Sequence, residues 1–136
     1  MKSPIYFKPG YKYQLQEDYV HILIGGCTVP LFHHSKYIVA VGTRVTVKAG
    51  YAWDGPSGPT YDSKSALRAS LIHDTLYQLI SEGILDDKQR EAADNELYTT
   101  LLEDGVNKVR AYLWYLAVRA FGGASSTTQT RTEVAP

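Results

Sequence analysis

The run Tyr51-Ala52-Trp53-Asp54-Gly55-Pro56-Ser57-Gly58-Pro59-Thr60-Tyr61-Asp62 divides a chain of 136 residues into halves of different periodicity. Proline lacks the amide donor and glycine forfeits backbone entropy, so the glycines and prolines of residues 55–59 exclude a helix or a central strand. Upstream the pattern is that of strands. Tyr11-Lys12-Tyr13-Gln14-Leu15-Gln16 alternates with period two, and Tyr19 to Ile24 is β-rich up to Gly25-Gly26. Tyr37 to Val41 and Arg44 to Lys48 are β-branched runs separated by Gly42-Thr43, a two-residue connection with glycine first, which signals a type II′ hairpin. A small antiparallel sheet is expected over residues 5–53, followed by a Gly/Pro loop over 54–62.

Downstream the apolar period changes to that of helices. Ser63 or Ser65 can cap a helix running to about Glu82, stopped by Gly83. Asp86 can cap a second, from about Asp87 to Glu103, stopped by Gly105. A third runs from Lys108 to Phe121 and is expected to end at Gly122-Gly123. The Ser/Thr-rich remainder has no apolar period and reads as a disordered tail over 123–136. The fold class expected is α+β: one domain over 1–122, with its helical part over 63–122.

Lys and Arg number 14, as do Asp and Glu, so the formal net charge is zero. Nothing in that balance argues for nucleic acid as a partner. No apolar stretch approaches the ~20 residues of a membrane helix, so no transmembrane segment is expected. The N-terminal MKSPIYFKPG lacks the apolar core of a signal peptide. Cys27 is the single cysteine and cannot form an internal disulfide, which points toward a reducing compartment or a virion.

The first helix carries Ala66, Leu67, Ala69, Ser70, His73, Tyr77 and Ile80 near one stripe, so His73 and Tyr77 face inward. Asp74 lies roughly 100° away, at the stripe's edge. The second helix aligns Arg90, Asp94, Leu97 and Leu101, which places an acid among apolar residues, where acids are found paired. Its partner is either Arg90, one turn away, or His73. The short connection at Gly83-Ile84-Leu85 makes the helices an antiparallel hairpin, with His73 and Asp94 roughly 15 and 12 Å from the turn. That favours His73. A histidine oriented by a buried carboxylate can act as a general base toward water. Cys27 and Ser70 are the candidate nucleophiles, without supporting spacing. Asp74, with Asp54 and the carbonyls of Gly55 and Gly58, could hold a hard cation such as Ca²⁺. The alternative is a satisfied polar cluster that fixes helix register. His21, His33 and His34 have no acid at metal spacing, and His33-His34 reads as an exposed turn.

Two families are resembled. Residues 45–122 are similar to a phage and prophage family of unknown function, DUF1353. The likeness rests on Val47 to Pro59, His73-Asp74-Thr75-Leu76-Tyr77, Arg90-Glu91-Ala92-Ala93-Asp94, Gly105-Val106, and Tyr115 to Gly122. In the loop, Ser57-Gly58-Pro59-Thr60 departs from the family's usual small residue-Ile-Pro-Arg. More distantly, the Gly-rich loop, the His-Asp-x-x-Tyr helix and the antiparallel Asp helix resemble secreted phospholipase A2 of the short bacterial and fungal kind. That likeness implies His73 as base, Asp94 as its orienter, Tyr77 as a supporting hydrogen bonder and Asp74 as a Ca²⁺ ligand. The single cysteine departs from the disulfide-bonded members of that family. Together the resemblances imply a phage-encoded, metal-assisted hydrolase acting on a lipid or other small ester, in host cytoplasm or virion. The alternative they leave is a non-enzymatic virion or accessory protein that meets other virion or host proteins through Tyr51, Trp53, Tyr112, Trp114 and Tyr115.

Overall fold

A glycine-first turn needs a positive φ at its first central residue and a negative one at its second. Gly42 has φ +61°, and among the described residues no non-glycine has positive φ, so Thr43 completes a type II′ turn. It joins β5 (Ile38–Gly42) to β6 (Arg44–Val47), with Val41 opposite Arg44 and Ala40 opposite Val45. The structure is a computed structural model; it describes residues 7–8, 13–53 and 64–128, and the side chains of 13–53 and 65–120.

The expected β half divides into two antiparallel sheets. The larger orders β3 (Tyr19–Ile22), β6, β5 and β4 (Val29–His34); the smaller orders β1 (Phe7–Lys8), β2 (Tyr13–Leu15) and β7 (Ala52–Trp53). Leu15 ties them to the intervening turn, its N–H on Tyr51 O at 2.9 Å and its carbonyl accepting from Gly50 N at 2.9 Å. β4 corrects the reading of His33-His34 as a turn: these residues pair with Ala40 and Val39. Pro30 and the register shift between Val29 and His33 broke the alternation that would have revealed the strand. On β3, β5 and β6 alternate residues point inward: Tyr19, His21, Ile38, Ala40, Val45 and Val47 are buried.

Three helices follow: α1 (Leu67–Ser81), α2 (Arg90–Glu103) and α3 (Lys108–Thr128). The glycine stops hold for the first two. Gly83 N–H bonds Ile80 O and Ile84 N–H bonds Leu79 O, and the same pair of bonds recurs at Gly105 and Val106. Both are Schellman closures, with the glycines at φ +81° and +92°. Asp86 caps as expected, accepting from Lys88 N at 2.9 Å, though a 3-10 turn (Asp87–Gln89) precedes α2. No serine caps α1: a 3-10 turn (Lys64–Ala66) leads in, and the flanking Ala66 has no side-chain bond to offer. Asn107 caps α3 through Val109 N at 2.8 Å. α3 continues past Gly122-Gly123 to Thr128, correcting the expected stop. Glycine within a helix costs only about 1 kcal/mol and does not force an end. Residues 129–136 of the expected tail lie outside the described residues.

α1 is buried on almost every side. Leu67, Leu71, Ile72, Leu76 and Leu79 join the core formed with the sheets, while Ala66 and Ala69 meet Leu97, Leu101, Ala111 and Trp114 of α2 and α3. α1 and α2 form the expected hairpin, which puts the α2-facing side of α1 deep inside the molecule. No described helix is long and apolar enough to cross a membrane.

Candidate functional site

His73 and Asp94 meet at the level the hairpin spacing predicts. His73 Nε2 lies 2.7 Å from Asp94 Oδ1. Tyr77, one turn along α1, donates its hydroxyl to the same oxygen at 2.6 Å, and its ring packs 4.3 Å from the imidazole. Oδ2 accepts from Arg119 NH1 of α3 at 2.8 Å. All three helices therefore contribute a donor or acceptor to one carboxylate that is 0% exposed.

Burial by itself would raise the Asp94 pKa. Hydrogen bonds from His73, Tyr77 and Arg119 and the charge of His73 outweigh it, and the carboxyl is held below its ordinary value. The same contact acts in reverse on Tyr77, whose pKa is raised by burial first and then by the Asp94 bond and charge. An ionised carboxylate only accepts, so His73 Nε2 must carry the proton, and in the neutral imidazole Nδ1 is then the free acceptor. No described residue bonds Nδ1, and His73 is 8% exposed, the one member of the His73-Tyr77-Asp94 trio at the edge of being open. The geometry is that of a base poised for water.

Other candidates fare differently. Asp74 is half-buried on α1 and already engaged. Asp54, Gly55 and Gly58 lie outside the described residues. Among the described residues no group of three or more His, Cys, Asp or Glu could hold a metal ion. A calcium ion takes six to eight oxygens, so the described residues alone do not make its site. Both candidate nucleophiles are excluded. Ser70 Oγ accepts from Trp53 Nε1 and donates to Leu67 O, each at 3.0 Å. Cys27 is buried, and burial pushes its thiol up to about 12. Tyr51, Trp53 and Trp114 are buried, so they provide no exposed aromatic surface; Tyr112 does.

A second histidine–acid pair was not anticipated. His21 Nε2 lies 2.6 Å from Glu96 Oε2, and Glu96 Oε1 accepts from Ile24 N at 2.9 Å and Gly25 N at 2.6 Å. On its other side His21 Nδ1 bonds Tyr19 OH at 2.7 Å, and Tyr19 accepts from Arg68 NH1 at 3.0 Å. Arg68 also grips Asp104 through two nitrogens, each at 3.0 Å, and Glu103 at 2.6 Å. Burial raises the Tyr19 hydroxyl to about 12, despite Arg68. Every heteroatom of this chain is satisfied, so it reads as scaffold. The signal was present in the alternation Tyr19, His21, Leu23, which puts His21 on the inward face; its acid lies 75 residues away. Arg119 was missed for a similar reason, since no local spacing sets where α3 docks.

The family model described as "Protein of unknown function (DUF1353)" matches residues 29–118, from β4 through most of α3. The chain belongs to the DUF1353 family. The match to DUF1353 starts upstream of the likeness seen in the sequence at 45–122 and contains His73, Tyr77, Arg90 and Asp94. Its last residue precedes Arg119, and His21 lies before its first. No curated protein and no solved structure matches the chain.

Proposed function

We propose that this protein is a hydrolase in which His73, oriented by Asp94, activates water for attack on an ester. The observation that carries the reading is the His73 Nε2–Asp94 Oδ1 bond of 2.7 Å, which leaves Nδ1 as the acceptor. As the water oxygen bonds the ester carbonyl carbon, its proton passes to Nδ1, and the imidazolium is balanced by the Asp94 carboxylate. When the tetrahedral intermediate collapses, the carbon–oxygen bond to the alcohol breaks and Nδ1 returns the proton to the leaving oxygen. Tyr77 and Arg119 hold the carboxylate still during this cycle. A phospholipase A2-like lipid ester, a phage origin and a Ca²⁺ at Asp74 with Asp54, Gly55 and Gly58 belong to the same proposal.

The test is ester hydrolysis by the intact protein, with and without calcium. His73→Ala is expected to lose activity by at least a factor of about 100 while remaining folded. Equal activity in the variant would sink the reading. For the metal, specific binding must raise the melting temperature by mass action, so an unchanged melt at millimolar calcium removes it.

A second reading keeps the cluster as a register lock in a non-enzymatic accessory or virion protein. It is favoured by the exposed Val109, Tyr112, Leu113 and Leu116, which share one face of α3 and would meet another virion or host protein.

A further inference from the structure

Arg90 opens α2, one helical turn before Asp94 and on the same face. At that spacing an arginine and an aspartate ordinarily pair. Here they do not, because His73, Tyr77 and Arg119 already occupy the carboxylate. The Arg90 side chain is half-buried, its Nε is buried without a hydrogen-bond partner, and no ion pair to a described residue engages it. A buried, unsatisfied donor on a cation is a standing cost, and a guanidinium is the donor best shaped for an oxyanion. Arg119 approaches the cluster from α3 with only NH1 engaged, and its side chain is 29% exposed. Both guanidinium groups act electrostatically on the Tyr77 hydroxyl, so they flank it. The opposing charges are Asp94, which Arg119 already binds, and Glu91, which acts on Arg119.

We infer that Arg90 and Arg119 form an oxyanion-binding subsite beside His73, and that its ligand is a phosphate group. Arg90 supplies the unshared fork; Arg119 turns its remaining donors to the same group while holding Asp94. This deepens the proposed hydrolase by naming a phosphate-bearing substrate for it, and it rests on that reading only for its use in catalysis. The phosphate can belong to a soluble ester or to a lipid headgroup, since two guanidinium forks read the oxygens alone.

The subsite is tested by binding, without turnover. The His73 ring resonances of the full chain are followed by NMR during titration with inorganic phosphate, and separately with monomeric dihexanoyl-phosphatidylglycerol, at constant ionic strength. A saturable shift is expected, weakened about tenfold or more in Arg90→Gln. Arg90→Gln breaks no bond to a described residue, so its melting temperature should match the parent's and the loss can be assigned to the site. Response to phosphate supports the subsite with a soluble source; response to the lipid alone supports it with a headgroup source. No saturable shift with either probe, or a shift that Arg90→Gln leaves intact, overturns it. If His73→Ala leaves hydrolysis unchanged while this binding survives, the hydrolase fails and the subsite stands.

Discussion

Replacing Asp94 by asparagine keeps the shape of the site and removes its charge. Oδ1 can still accept from His73 and Tyr77, now as neutral bonds of roughly half the strength. The Oδ2 position becomes an amide donor facing Arg119 NH1, which stood 2.8 Å away as a donor itself. One charge-assisted bond worth about 1.5–3 kcal/mol disappears, and two donors confront one another. With the two weakened bonds, the expected loss is about 3–5 kcal/mol, the range found when a buried ion pair loses one partner. In a domain stable by about 5–15 kcal/mol this is a large fraction. Urea unfolding read from the buried Trp53 and Trp114 measures it, since the two lie in different core clusters. The pH dependence then isolates the charge. The folded Asp94 pKa lies below its ordinary value, so its contribution is complete above the unfolded pKa and is lost as pH falls through the folded one. The gap between parent and Asp94→Asn should hold level above about pH 5 and narrow toward about pH 3 and below. A gap under about 1 kcal/mol at neutral pH, or one that persists unchanged in acid, would refute the account of Asp94 as the ionised hub of three donors.

Gly25→Ala should destabilise by about 2–4 kcal/mol, because overpacking and the loss of two charge-assisted bonds combine. A Cβ there would meet Glu96 N at 2.8 Å and Asn95 C at 3.0 Å, all backbone, and so would part Ile24 and Gly25 from the Glu96 carboxylate. An unchanged urea midpoint would mean that the β3–α2 approach is looser than described. Cys27 should resist a thiol reagent at about pH 8 in the native state and react only as the chain unfolds, since its thiol is buried and raised to about 12. Reaction within seconds of mixing would contradict that burial.

The hairpin of α1 and α2 was legible because its turn is short and its glycines leave little freedom. Given those, the helical rise alone brought His73 to Asp94, and Tyr77 followed one turn on. Arg119 was not legible, because a helix joined through Gly105 and Val106 can dock at several angles and only packing around Ala111 and Trp114 chooses one. The division into two sheets was hidden for a related reason. Alternation identifies a strand but not its neighbour, and β2 finds β7 from 37 positions away in the register Gln14↔Ala52 only once the turn at Gly50 is formed. β4 escaped because Val29-Pro30-Leu31-Phe32-His33-His34 carries an imino acid and a bulge. The glycines after β3 read only as an ending, whereas Gly25 is a contact whose missing side chain lets two elements touch.

Asp94 and Glu96 are two residues apart, hence roughly 200° around α2, and each is fully buried with its own histidine. One faces α1 and α3, the other the sheet and its turn. Helices seated by aliphatic contacts alone have several neighbouring orientations of similar energy. For α2 a roll of one residue in either sense would strand two carboxylates at once in apolar surroundings, a penalty far above the stability of the whole domain. The helix therefore has one orientation separated by a wide gap from all its near misses. Drift in the apolar residues on either side can be absorbed without the helix turning, and the bearing of Asp94 on His73 survives changes in the core around it.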